Sequence, residues 1–215
     1  MSRKAIVILP VFLSVAALTS CSSSSSDGAE KEETASKPIT KKLAQAELTQ
    51  ALPGAGEVLE GWEPYKEKRV TDEGADCTKS ESDSSPKGWM RGSSAWFIYD
   101  GTTENMLDIG ICLYDSAETS KRAYAVWKGT ESSKEKNFKE KVGDEAVLVV
   151  NPGASERTLY GFTRSGNINI KVQVDGAGAD EAGVQTILET TLKRLQQVQD
   201  GDKATATAAE QTKNS

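Results

Sequence analysis

From Leu107 to Leu113 every second residue is a large aliphatic (Leu107, Ile109, Ile111, Leu113), with Asp108, Gly110 and Cys112 between them. The same alternation returns in Ile168, Ile170, Val172 and Val174, interleaved with Asn167, Asn169, Lys171 and Gln173. Successive side chains of a strand point to opposite faces, so a period of two means strands with one apolar and one polar face. Two such segments commit the chain to a sheet whose apolar face must be covered. The cover is legible as well. Asp180 precedes a helical run in which Val184, Ile187, Leu188, Thr191, Leu192, Leu195 and Val198 form one apolar stripe.

The remaining elements fall around these. A helix is predicted over Thr40–Leu52, stopped by Pro53-Gly54, and a strand over Gly61–Val70 weakened by Pro64. A polar loop holding Cys77 follows. "SAWFIYDG" and "NMLDIGICLYD" read as a hairpin, then Asp115 and Glu118 as a capping signature for a helix to about Gly129 with Ala123, Tyr124 and Trp127 inward. "EAVLVV", "RTLYGFTR" and "NINIKVQV" give three more strands before the last helix. The expected order is α-βββ-α-βββ-α. It is an α+β fold, a single domain with an antiparallel sheet covered by helices on one face, and the alternate strand face wet. The helix-plus-three-strands unit occurs twice without a residue-level match between the copies.

The N-terminus is organised differently. Arg3 and Lys4 precede an apolar run from Ala5 to Leu18. A membrane-spanning helix needs roughly twenty residues, so the run has the length of a signal-peptide core. It ends in Leu18-Thr19-Ser20-Cys21, which resembles the bacterial lipobox of an aliphatic residue, two small residues and a cysteine. The resemblance implies cleavage before Cys21, whose thiol takes the lipid. Residues 1–20 are then a lipoprotein signal peptide. Residues 21–38, poor in anything that could be buried, are a flexible tether; 39–199 are the globular domain; 200–215 are a loose tail. With Cys21 lipidated, Cys77 and Cys112 remain as an even pair in an oxidising compartment, and a disulfide between them follows.

Composition removes several classes of function. The chain has no histidine, which excludes Ser-His-Asp and Cys-His catalysis and histidine metal sites, and no metal or cofactor is expected. Its 32 acidic against 26 basic residues give a net charge of −6 with no basic stripe, so nucleic acid is not an expected partner. The membrane partner is reached through the lipid on Cys21 alone.

"LTQALPGAGEVLEGW" (48–62), "VGDEA" (142–146) and "TRSGNINIKV" (163–172), ahead of a final amphipathic helix, resemble the extracellular sensor-like domain of some mycobacterial serine/threonine kinases and its free-standing lipoprotein relatives. The resemblance spans most of residues 40–198. It implies an α+β fold with a groove on one side of the sheet for a ligand not yet identified.

Residues with chemical potential resolve mostly into structure. Asp144 and Glu145 are neighbours entering a strand, face opposite ways, and read as a turn. "DGAGADEAG" (175–183) fits neither a dinucleotide nor an EF-hand pattern and reads as the turn into the last helix, capped by Asp180. Ser165, between Arg164 and Gly166, lacks any partner of a nucleophile and reads as a hairpin turn. Trp89, following a polar loop, is a candidate contact for a ligand or partner, against packing in the core. The expectation is a non-enzymatic binding or sensor-like domain, lipid-anchored on the outer side of the cell membrane. Its partner is a small ligand, a cell-wall component or a protein. The alternatives are a hydrolase using an Asp/Glu acid-base pair and a purely structural interaction protein.

Overall fold

In the computed structural model the two alternating segments are neighbouring strands. Leu107 pairs with Val174, Ile109 with Val172, Ile111 with Ile170 and Leu113 with Ile168. In this register the aliphatic residues of both strands lie on one face, and all eight are buried. The structure describes residues 37–71, 74, 77, 85–128, 134–151 and 158–213.

The elements are α1 (Gln45–Ala51), β1 (Trp62–Pro64), β2 (Arg69–Thr71), β3 (Trp89–Tyr99), β4 (Thr102–Tyr114), α2 (Ala117–Lys128), β5 (Lys134–Lys136), β6 (Glu145–Asn151), β7 (Thr158–Ser165), β8 (Ile168–Asp175), α3 (Glu181–Asp200) and α4 (Ala208–Thr212). The strands form one antiparallel sheet in the order β1-β3-β4-β8-β7-β6-β5, with β2 also paired to β3. The fold is α+β, a single antiparallel eight-stranded sheet packed with helices. Its central strands are those in which the alternation is strictest.

The main core lies between one sheet face and α1 with α3. It joins the aliphatic residues of β4 and β8 to Leu48, Leu52, Val184, Ile187, Leu188 and Leu195. Gly161 on β7 sets how closely α3 can approach, since a Cβ there would stand 2.5 Å from Val184 Cγ1 and 2.9 Å from Leu188 Cδ1. The first helix is shorter than its pattern. Ala44 is its N-cap, with the Glu47 carboxylate accepting from the Ala44 N–H. Residues 37–43 run extended along α3, where Gln199 Oε1 accepts from the N–H groups of Thr40 and Lys41. Ile39 and Leu43 are buried without being helical. Ile39 O comes so near the β7–β8 turn that only glycine fits at 166, where φ is +57°.

The other sheet face is covered too, contrary to the expectation that helices lie on one side. α2 packs there over Cys112, Tyr114, Val147, Val149 and Phe162, adding Ala123, Tyr124 and Trp127. Cys112, turned away from the aliphatic face by the alternation, is bonded to Cys77 with a Cα–Cα distance of 5.9 Å. Both sulfurs are buried in this second core. Asn169, expected on a wet face, is fully buried beneath α2. Its Nδ2 donates to the Ser120 carbonyl, and Ser120 Oγ donates to its Oδ1. The cap of α2 is Ser116 with Thr119, one residue beyond the Asp115/Glu118 signature. Each backbone N–H of this pair donates to the other's hydroxyl.

The C-terminal segment is the largest departure from expectation. Residues 201–213 are not a loose tail. Gly201 ends α3 in the left-handed conformation, with φ of +91°. Gln197 Oε1 then accepts from the N–H groups of Thr205 and Ala206, and α4 packs with Ala206 and Ala208 buried. Small side chains suffice here because backbone hydrogen bonds hold the segment, and composition carries no sign of them.

Candidate functional site

The strand expected over residues 61–70 is two strands. β1 pairs with β3 as far as Pro64 against Phe97, and β2 resumes with Arg69 against Ser94. Residues 65–68 therefore stand opposite only Ala95 and Trp96, and the surplus backbone bulges out of the ladder. Tyr65 keeps a foothold, its N–H donating to the Trp96 carbonyl at 2.9 Å. With the Pro53-Gly54 turn that ends α1, this excursion encloses a cleft of about 460 Å³, lined by Pro53, Gly54, residues 64–68 and residues 95–97. Its volume falls in the ordinary range of small-molecule sites.

Three kinds of side chain meet there. Ala95 and Phe97 are buried and belong to the main core. Tyr65 is 40 % exposed, one of three large apolar side chains so exposed among the described residues, and Lys66 Nζ lies 4.9 Å from its ring centroid. Lys68 is half-buried. Its ammonium donates to the carbonyls of Leu52 (2.7 Å) and Thr49 (3.4 Å), closing the C-terminal end of α1, where carbonyls lack helical partners. Burial, then the nearby Arg194 charge, lower its pKa below the usual lysine value, while Glu57 opposes that shift.

Arg194, only 3 % exposed, ties the wall of the cleft to the rest of the domain. Its Nε donates to Ala51 O (3.0 Å), Nη2 to Gln50 O (3.3 Å) and Nη1 to Ala206 O (2.9 Å), and Nη2 pairs with Glu57 Oε2 at 3.0 Å. Glu57 Oε2 also accepts from Gly54 N–H, and its backbone carbonyl accepts from Ala208 N–H. One guanidinium thus joins α1, α3 and the C-terminal segment. Sequence reasoning missed it because Arg194 sits within an amphipathic stripe as an ordinary helical cation.

Trp96, in the hairpin read from the sequence, lines the cleft; the other residues singled out there lie elsewhere. Trp89 is half-buried against the disulfide core, with its indole N–H buried and without an acceptor. It does not line the cleft. Trp127 is buried edge-on to Phe162, and Trp62 is buried with its Nε1 donating to Gly178 O. Asp144 and Glu145 both hold Arg164, each at 3.0 Å, and Asp144 Oδ2 also accepts from Gly166 N–H. Asp180 caps α3 by accepting from Gly183 N–H at 2.8 Å. Cys21 lies outside the described residues.

Among the described residues lining the cleft Glu67 is the one carboxylate, so no acid-base pair gathers among them. Glu189 has a raised pKa, through burial, partly offset by its hydrogen bond from Gln185 and reinforced by Glu140. It stands on α3 away from the cleft lining. Among the described residues no group of three or more Cys, Asp or Glu is placed to hold a metal ion.

No family model and no curated protein sequence matches the chain. Among solved structures it is similar to the extracellular domain of PknH from Mycobacterium tuberculosis, with a TM-score of 0.51 and 14 % identity over 75 % of this chain and 99 % of that one. At this identity the likeness is one of fold.

Proposed function

We propose that the protein is a lipid-anchored, extracytoplasmic binding domain of the sensor type, without catalytic activity, held to the outer face of the cell membrane through Cys21. The observation that carries the reading is the fold shared with nearly the whole extracellular domain of PknH. The buried Cys77–Cys112 disulfide is consistent with an oxidising compartment, and the lipobox-like Leu18–Cys21 supplies the anchor. The cleft beside the broken edge strand is the binding site this reading uses.

The test is mass spectrometry of the protein from fractionated cells, with and without a block of prolipoprotein processing. The expected result is a membrane-fraction protein beginning at a diacylglyceryl-modified Cys21, with precursor accumulating under the block. A cytosolic protein with unmodified Cys21 would overturn the assignment.

A further inference from the structure

The cleft carries a local charge opposite to that of the chain. The protein as a whole has a net charge of −6, yet the cleft lining holds Lys66 and Lys68 against Glu67 alone. Glu57, behind the wall, is engaged by Arg194 at 3.0 Å. Neither Lys66 nor Lys68 has a carboxylate at ion-pair distance among the described residues. Lys68 directs two of its three N–H donors to carbonyls at the end of α1. A helix C-terminus offers about half a unit of negative charge, too little to neutralise the Lys68 ammonium.

The apolar part of the lining is pre-shaped. Pro53 and Pro64 fix two backbone positions, Phe97 is locked in the core, and the Tyr65 ring is held beside a cation. A rigid apolar surface next to unneutralised ammonium groups is complementary to one kind of solute.

We propose that the cleft binds a small amphipathic anion: an aromatic or aliphatic body against Pro53, Pro64, Tyr65 and Phe97, and a carboxylate, sulfonate or phosphate against Lys66 and Lys68. This rests on the binding-domain reading and names the chemical class of its ligand.

Three probes separate the parts: naphthalenesulfonate, the neutral naphthalenemethanol, and inorganic sulfate. Each is titrated by calorimetry into the full chain, with hydrogen-exchange mass spectrometry locating the site. Naphthalenesulfonate is expected to slow exchange in peptides covering residues 61–71 and 92–98. It should bind about tenfold more tightly than either partial probe, the worth of one charge-assisted hydrogen bond. Lys66→Gln, an exposed substitution that disturbs no hydrogen bond given to Lys66, should weaken it about two- to fivefold. Lys66→Gln with Lys68→Gln should reduce it to the level of naphthalenemethanol, a melting curve showing that the double variant remains folded. Equal binding of naphthalenemethanol, wild-type affinity in both variants, or no protection at these peptides would each overturn the proposal. Protection by naphthalenesulfonate elsewhere on the domain overturns the cleft but leaves the binding-domain reading. Cytosolic protein with unmodified Cys21 overturns the location but leaves the cleft.

Discussion

Arg194→Met is the substitution on which the energetics of this fold turn. The methionine keeps most of the aliphatic stem and removes the guanidinium. Three carbonyls, of Gln50, Ala51 and Ala206, then lose their donor, and Glu57 loses its cation. Breaking a buried ion pair by removing one partner costs about 3–5 kcal/mol. Glu57 is 31 % exposed, so water can recover part of its share, whereas the carbonyl of buried Ala51 and that of buried Ala206 have less access. The expected loss is therefore near the lower end, about 3 kcal/mol. Glu57→Gln retains an oxygen for Gly54 N–H and should lose about 1–2 kcal/mol. Urea denaturation of both single variants and the double variant closes a cycle. The double variant should be less destabilised than the sum by about 1–2 kcal/mol, because the two groups share one interaction. Limited trypsin digestion adds a local readout, since the C-terminal segment has lost its anchor and the exposed Lys203 should be cut sooner than in the wild type. A loss below about 1 kcal/mol for Arg194→Met at unchanged m-value, with Lys203 still protected, would refute the argument.

Other outcomes follow from single observations. Replacing Cys77 and Cys112 together by Ala releases a cross-link spanning 35 residues, which on chain entropy should cost about 4 kcal/mol and lower the melting temperature by roughly 8–15 °C; a shift of under about 3 °C by calorimetry would contradict it. Gly161→Ala drives a methyl into Val184 and Leu188 and should destabilise by about 1–3 kcal/mol in the same denaturation assay, with α3 losing exchange protection first. Glu189 has a raised folded-state pKa, so its charged form opposes folding above that pKa and the penalty fades as pH falls through it. Glu189→Gln should accordingly raise the melting temperature near neutrality, and its advantage should vanish in acid; an advantage growing toward acid would show the sign to be wrong.

What was legible in the sequence is what side-chain periodicity encodes. The strict alternation in β4 and β8 names both the strands and the buried face, because a half-buried strand leaves no other pattern. It also turned Cys112 toward the opposite side, where Cys77 meets it. The stripe of α3 with its Asp180 cap was readable for the same reason. The errors share a different cause. Pro64 was seen as weakening one strand, but whether the chain resumes in register or bulges depends on β3, to which sequence gives no access. Asn169 looked solvent-facing because polarity was taken as exposure, whereas Ser120 satisfies it under α2. The C-terminal segment, rich in Ala and Thr, carries no periodic signal, and it is held by Gln197 Oε1 accepting from the Thr205 and Ala206 N–H groups, Arg194 donating to the Ala206 carbonyl, and the Glu57 carbonyl accepting from Ala208 N–H. The cleft inherits this invisibility, being made of a strand irregularity and a helix end rather than of a motif.

The two cores also differ in how they are held. The one under α1 and α3 is a broad aliphatic layer with enough buried Leu, Ile and Val to stand on the hydrophobic effect. The one under α2 is thinner, and its buried set includes two cysteines joined to each other and the amide of Asn169 beside them. Cys77 itself is buried in this core and bonded to Cys112. A reducing environment should thus act first on the core under α2, which the cross-link joins, rather than on the aliphatic layer under α1 and α3. The cleft wall supplied by Phe97 belongs to that layer and should therefore outlast the disulfide. On the proposed extracytoplasmic location the bond is a permanent part of the fold, and the cleft lining includes neither of its cysteines.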